Sequence, residues 1–260
     1  MRKAIFITGG GSGIGRATAE LFAKRGWFVG LADVNEAGLA ETARLIGADN
    51  AFTVRMDVRD REEWRDALEH FTQASGGRLD LLFNNAGIGS GGPFEAMSQA
   101  DKDRVLDVNL RGVIYGAEAG LPLLKATPGS ALVNTCSAAG LWAGPGMSIY
   151  AVTKFGVRAL TDSLNEEWAE HGIKVRSIMP SFIDTPLLTQ TVSGTNQSFR
   201  ERVQAQGLEF TPVETVAQAV WDAVYGKKTH VVVGKTARRL AFIMRWAPGM
   251  VRLLRKSEEK

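Results

Sequence analysis

Residues 4–15 read Ala4-Ile5-Phe6-Ile7-Thr8-Gly9-Gly10-Gly11-Ser12-Gly13-Ile14-Gly15. A short apolar run that meets glycines at once reads as a buried strand entering a sharp turn. A helix pattern follows from about Arg16 to Arg25. Glycines let backbone N–H groups approach a phosphate, and the N-terminus of the helix behind them adds a partial positive charge. A glycine-rich turn alone says little. Its place between a strand and a helix is the context a dinucleotide fingerprint requires. Gly9, Ser12, Gly13, Ile14 and Gly15 are therefore candidate cofactor contacts.

Working outward, residues 27–32 read as a second strand with Asp33 at its end, eighteen positions after Gly15. An acidic residue there can bind the adenosine ribose hydroxyls. It repels a 2′-phosphate, so NAD is expected over NADP, and neither Gly11 nor Val34 offers a neighbouring base to offset it. The competing reading is an aspartate in an ordinary strand-end turn. Residues 50–56 form a third expected strand, ending at Asp57-Val58. Asp57 either reaches the adenine amino group, the preferred reading, or caps the helix that begins near Arg61. A fourth strand at 79–83 leads into Asn84-Asn85-Ala86-Gly87, small residues that permit close approach to a cofactor or simply hold a turn.

A long helix is expected over 99–124, with Asn109 as a buried-looking amide between Val108 and Leu110. Such an amide needs backbone or water partners. A fifth strand over 130–135 ends in Cys136-Ser137; the cysteine reads as a small buried residue. Tyr150-Ala151-Val152-Thr153-Lys154 then places a phenol and an ammonium one helical turn apart. An ammonium beside a phenol favours the phenolate, so Tyr150 is expected to have a lowered pKa and to serve as a general acid–base. Its helix is expected to run to about Glu170 and stop at Gly172; a sixth strand covers 173–179 and ends at Pro180.

Thr8-Gly-x-x-x-Gly-Ile-Gly15, Asn84-Asn-Ala-Gly87, Asn109, Ser137, Tyr150-x-x-x-Lys154 and the Pro180 segment together resemble the short-chain dehydrogenase/reductase family, in its order and spacing, over about residues 3–233. The resemblance implies an α/β chain with a single-domain, Rossmann-type, doubly wound parallel sheet of strand order 3-2-1-4-5-6-7. It implies roles as well. Tyr150 moves the proton, Lys154 tunes it and binds the nicotinamide ribose, Ser137 holds the reacting oxygen, and Asn109 holds a water. Asp33, Asp57, Val58, Asn85, Ala86, Gly87, Pro180, Ile183 and Thr185 line the cofactor site, with Tyr150 and Lys154. Ser181 departs from the pattern, since the family usually has glycine after the proline, and it can alter the loop over the nicotinamide. The implied reaction is NAD(H)-dependent hydride transfer between nicotinamide and a secondary alcohol or ketone, with a lipophilic substrate expected. The alternatives are an NADP-linked carbonyl or acyl-carrier reductase and, on the same fold, a dinucleotide sensor or scaffold. A homodimer or homotetramer is implied too.

The catalytic unit is expected to span 1–235. The resemblance implies a substrate lid over about 185–210, carrying Leu187, Leu188, Val192 and Phe199; the competing reading is that these apolar residues pack on the core. Thr211-Pro212-Val213-Glu214 reads as an N-cap with proline at N1, and 230–233 as the last strand. Residues 236–260 form a basic amphipathic extension. Arg238, Arg245, Arg252 and Lys256 fall on one face of a helical wheel, opposite Leu240, Ile243, Ala247, Val251 and Leu254. Phe242, Met244, Trp246 and Met250 widen the apolar surface, and Pro248-Gly249 should break the helix. The extension packs on a subunit or the substrate cleft, touches a membrane surface through 236–256, or hangs free.

Composition narrows the classes. The chain has 260 residues, 45% of them hydrophobic, enough for a sizeable core. A net charge of +3 is too small to argue for nucleic acid. The single cysteine and the scattered His70, His171 and His230 give neither a disulfide framework nor a metal constellation. The stretch 126–153 lacks charges but is broken by prolines and glycines, so it is no membrane span. The start, Met1-Arg2-Lys3 before a short apolar run, reads as a strand rather than a leader. The expected compartment is cytoplasmic, with possible peripheral contact at a membrane.

Overall fold

β1 (Ala4–Thr8) is buried along its whole length and lies in the middle of a seven-stranded parallel sheet of order β3-β2-β1-β4-β5-β6-β7. The computed structural model describes residues 2–249. Strands covered on both faces need apolar residues at every position, which is why β1 reads as a continuous run rather than an alternation. Ile5 and Ile7 enter one core layer, whereas Ala4 and Phe6 enter the other.

α1 (Gly13–Lys24) follows β1, then β2 (Phe28–Asp33), α2 (Glu36–Ile46), β3 (Ala51–Arg55) and α3 (Arg61–Ala74). The chain then returns past β1 to β4 (Leu81–Asn84), followed by α4 (Gln99–Leu106), α5 (Gly112–Ala126) and β5 (Ala131–Thr135). α6 (Ser148–Glu167), β6 (Lys174–Pro180), α7 (Phe199–Ala205), α8 (Val213–Tyr225), β7 (His230–Val233) and α9 (Lys235–Trp246) complete it. One layer packs Phe22, Trp27, Val216 and Val220 against the sheet; the other packs Trp64, Phe71, Leu124 and Trp168. Phe6 meets the Phe71 ring edge-on at 5.2 Å, and Phe22 meets Trp27 at 5.0 Å. The direction of winding reverses between β1 and β4, which leaves a crevice at their C-terminal ends.

Three elements differ from the sequence reading. The helix expected over 99–124 is interrupted by a π-helical turn at Asp107–Arg111. Asn109 sits inside it, fully buried. Its Oδ1 accepts from the Ile88 N–H at 2.8 Å and its Nδ2 donates to the Ile88 carbonyl at 2.9 Å. Thr211 does not cap α8. Its N–H donates to the Phe182 carbonyl at 2.8 Å, and it bridges to Ile183, so backbone pairing displaces the cap and Pro212 precedes the helix instead. α9 ends at Trp246, before Pro248, and packs on β7 and the turn Ala138–Gly140. Ala237 is buried and Leu240 and Ile243 are half-buried, while Phe242 and Trp246 are exposed. Met250, Val251, Arg252, Leu254 and Lys256 of the expected extension lie outside the described residues.

Candidate active site

The crevice opens into a cleft of about 490 Å³ at the C-terminal ends of the strands. Gly9, Ser12, Gly13 and Ile14 reach it from the first turn, Asp33 from β2, Asp57 and Val58 from beyond β3. Asn85, Ala86 and Gly87 follow β4, Ser137 follows β5, and Tyr150 and Lys154 come from α6. Pro180, Ile183 and Thr185 close the far side. Two expected site residues stand outside its lining. Gly15 packs α1 onto the turn, where a Cβ would overlap the Gly9 carbonyl oxygen. Asn109 lies behind Gly87; a Cβ on that glycine would stand 3.3 Å from Asn109 Oδ1 and 3.9 Å from Lys154 Nζ, so these two groups border one gap.

The first turn fits an anion. The Ser12 side chain makes no capping hydrogen bond, and no acidic residue occupies the first turn of α1. The N-terminal N–H groups and the helix dipole are thus left for a ligand phosphate. Gly13 has φ +52 and lies where a Cβ would meet Thr185 at 3.0 Å. Arg16, which the sequence did not mark, fastens the turn from below. Its Nη2 donates to the Gly11 carbonyl at 2.5 Å and its Nε to Thr42 Oγ1 at 3.0 Å.

Asp33 is held by two backbone donors: Oδ2 accepts from Gly11 at 3.0 Å and Oδ1 from Asn35 at 3.0 Å. Asp57 does not cap α3; Asp60 does, accepting from Glu62 and Glu63. Asp57 instead forms a forked ion pair with Arg59, at 3.0 Å to Nε and 2.6 Å to Nη2. That pairing holds the Asp57 carboxyl below the usual carboxylate range. Arg59 lines the cleft as well, and two residues of spacing gave no sign of it.

At the other end, Lys154 is buried and its Nζ donates to the Thr135 carbonyl at 3.0 Å. The Thr135 hydroxyl donates to Asn85 Oδ1 at 3.2 Å, and Asn85 Nδ2 donates to the Thr8 carbonyl at 3.0 Å. Lys154 Nζ is 5.5 Å from the centre of the Tyr150 ring. Here the structure corrects the expected tuning. Tyr150 is half-buried, and desolvation of its phenol pushes it up to about 12, against a smaller downward pull from the Ser137 hydroxyl. Burial also pushes Lys154 down to about 8. Desolvation disfavours both charged forms at once, and the ammonium is turned to a carbonyl rather than to the phenol. Cys136 is buried as expected; burial raises its thiol, which donates to the Lys154 carbonyl at 3.1 Å.

Ser181 follows Pro180 in the lining of the cleft. Its hydroxyl is buried without a partner and occupies the space beside Gly234, where a Cβ would overlap it. Gly234 also has φ +94, so the start of α9 is shaped around Ser181. Ile88, Leu187, Leu188 and Gln190 line the same cleft, as do Arg104 and Val108.

The family model for short chain dehydrogenases matches residues 3–196. The chain belongs to the short-chain dehydrogenase family. Among characterised members it is 38% identical to cyclohexanol dehydrogenase of Acinetobacter sp. (strain SE19), over 72% of this chain and 76% of that protein. It is 34% identical to levodione reductase of Leifsonia aquatica, over 84% of this chain and 83% of that protein. A short-chain dehydrogenase/reductase from Burkholderia phymatum, solved in complex with NAD, superposes with a TM-score of 0.84 at 29% identity, covering 97% of this chain and 95% of that one. Short-chain dehydrogenases are oxidoreductases that bind a nicotinamide dinucleotide, and the cleft has the turn and helix terminus for one.

Burial of Lys154 has a measurable consequence. The group titrates near 8 in the fold and at its ordinary 10.5 when unfolded. Below its folded pKa both states hold the proton and the burial penalty is complete. Between the two values the folded state holds fewer protons, so stability rises with pH. Relative to Lys154→Met, the wild type should gain about 2 kcal/mol between about pH 7 and about pH 9.5 in urea unfolding. Tyr150 is present in both proteins, so its contribution cancels. Parallel pH dependence of the two proteins would mean that Lys154 is not desolvated.

Proposed function

We propose that this short-chain dehydrogenase is NAD(H)-dependent and moves a hydride between nicotinamide and a secondary alcohol or ketone of mostly apolar character. The observation that carries the reading is the arrangement along one cleft. Asp33 stands at one end, the anion-ready turn in the middle, and Ser137, Tyr150 and Lys154 at the other. NAD is favoured because Asp33 presents a carboxylate where a 2′-phosphate would lie, and Arg16 is tied to Gly11 and Thr42 rather than free to offset it. Ile88, Leu187 and Leu188 in the lining of the cleft suit an apolar substrate. The names of the cyclohexanol and levodione relatives support the same class.

The nicotinamide, when bound, supplies the hydride chemistry. The chain supplies position and protons. Ser137 donates a hydrogen bond to the reacting oxygen, and the Tyr150 phenol gives that oxygen its proton in reduction. A phenol pushed up to about 12 is a neutral acid at physiological pH, suited to that direction. In oxidation Tyr150 must act as the base, which requires a positive charge beside it to favour the phenolate. Lys154, pushed down to about 8, still carries its proton at neutral pH but turns it to the Thr135 carbonyl, so the phenolate also needs the positive charge of the oxidised nicotinamide. Asn109 Oδ1 and Lys154 Nζ both lie within 4 Å of where a Gly87 Cβ would stand, and a water there would resupply the proton.

Titration with NADH and NADPH, followed by nicotinamide fluorescence, should show NADH bound at least about tenfold more tightly. Tyr150→Phe should retain NADH binding and lose about a hundredfold or more in turnover of apolar secondary alcohols. Preference for NADPH would overturn the Asp33 argument, and full turnover by Tyr150→Phe would remove Tyr150 from the reaction.

We also propose that the protein forms a homodimer or homotetramer and that α9 makes peripheral contact with an anionic membrane surface. Val152 and Phe155 stand 54% and 40% exposed on α6 and offer an apolar contact to a second copy. On α9, Phe242 and Trp246 are 66% and 68% exposed, and Lys235, Arg238, Arg239 and Arg245 are exposed with them. No acidic residue occurs from 235 to 257. A basic face bearing aromatic residues fits the headgroup layer of an anionic bilayer. Among the described residues no helix is long and apolar enough to cross one. Vesicles of phosphatidylglycerol and phosphatidylcholine should sediment the protein at low salt, pure phosphatidylcholine should not, and Phe242→Ala/Trp246→Ala should lose binding while keeping its oligomeric state. Dissociation of the oligomer in that variant would assign the face to a second copy instead.

A further inference from the structure

The connection from β4 to α4 contains Ile88-Gly89-Ser90-Gly91-Gly92-Pro93. None of the three glycines Gly89, Gly91 and Gly92 lines the cofactor cleft. Each lacks a Cβ at a point where the segment 187–199 passes. A Cβ on Gly89 would stand 2.9 Å from Gln190 Oε1 and 3.2 Å from Leu187 Cδ2. On Gly91 it would stand 2.6 Å from the edge of the Phe199 ring and 2.9 Å from the Gly146 carbonyl oxygen. On Gly92, which has φ +128, it would overlap the Ser193 carbonyl. The three obstructions fall on three separate parts of the same segment, so one bare stretch of backbone receives the whole of it.

Backbone hydrogen bonds run to both sides of this stretch. The Ser193 N–H donates to the Gly91 carbonyl at 2.8 Å. The Gly92 N–H donates to the Gly146 carbonyl at 2.7 Å. Gly146 lies four residues before Tyr150, just ahead of α6. The loop is thus in contact with the segment on one side and with the approach to the Tyr150 helix on the other.

We propose that Gly89, Gly91 and Gly92 form a seat that holds the segment against the cleft and so positions Leu187, Leu188 and Gln190 in its wall. The seat residues lie outside the lining of the cleft and act through the segment they receive. Packing the Phe199 ring directly on the Gly91 backbone fixes its distance from the sheet, and an added methyl must either push the ring away or distort the loop. The ligand-binding part of the inference rests on the cleft being a dinucleotide site, but the seat itself does not.

Gly91→Ala is the decisive variant, because Gly91 is not among the positive-φ glycines and alanine suits its backbone. The readouts are the rate of trypsin cleavage at Arg200 and Arg202, the Kd for NADH, and KM against kcat. The variant should be cleaved about fivefold faster or more, with NADH Kd and substrate KM raised by a similar factor and kcat changed less than about twofold. In a Phe199→Ala background, where the obstructing ring is gone, the same substitution should change the cleavage rate less than about twofold. Unchanged cleavage of Gly91→Ala would overturn the proposal. A fall in kcat with KM intact, undiminished in the Phe199→Ala background, would overturn it too, since the methyl would then act through Gly146 and the Tyr150 helix. If the wild type binds no NADH, the dinucleotide reading fails, while the cleavage comparison still decides the seat.

Discussion

The hydrogen bond from the Lys154 ammonium to the Thr135 carbonyl is the contact on which the site's architecture depends. A buried ammonium without a partner would cost several kcal/mol. Thr135 ends β5, and its hydroxyl donates to Asn85 at the end of β4. Asn85 in turn donates to the Thr8 carbonyl, at the end of β1. Thr8 Oγ1 accepts from the Asn85 and Ala86 N–H groups, both at 3.0 Å. The Lys154 end of the cleft is therefore tied to the glycine turn by side-chain bonds across three adjacent strands. The parallel register makes this possible, because it brings the C-terminal ends of β1, β4 and β5 to one edge.

Burial then decides the charge state. Tyr150 and Lys154 are both driven towards neutrality, and each shift has desolvation as its largest cause. At neutral pH Tyr150 is thus a protonated phenol and Lys154 still carries its charge. In the proposed oxidation the phenolate needs a positive charge beside it. Such a charge is more effective beside the half-buried Tyr150 than in bulk water.

The sheet order was legible because its signals are local and repeated: apolar runs too continuous for exposed strands, each followed by a helix pattern. Most of the cleft was legible for the same reason, since strand ends and the glycine turn mark where a doubly wound sheet opens. What stayed hidden depends on contacts between distant residues. Thr135 acts through its backbone carbonyl, which no side-chain pattern reveals. The π-helical turn at Asn109 follows from bonds to Ile88, twenty-one residues away. The capping pattern at Thr211 was genuine in sequence but lost to pairing with Phe182. The direction of the Tyr150 shift could not be read from spacing, because one helical turn fixes proximity and says nothing about desolvation or where the lysine points.

The central claim is that burial keeps the Tyr150 phenol protonated until a positive charge arrives beside it. Its most direct test is an ultraviolet difference titration of the phenol, wild type minus Tyr150→Phe, with and without saturating NAD⁺. The account predicts no ionisation of Tyr150 below about pH 10.5 in the free protein and a pKa at least about two units lower with NAD⁺ bound. A phenol that ionises near neutral pH without cofactor, or that does not respond to NAD⁺, would contradict it.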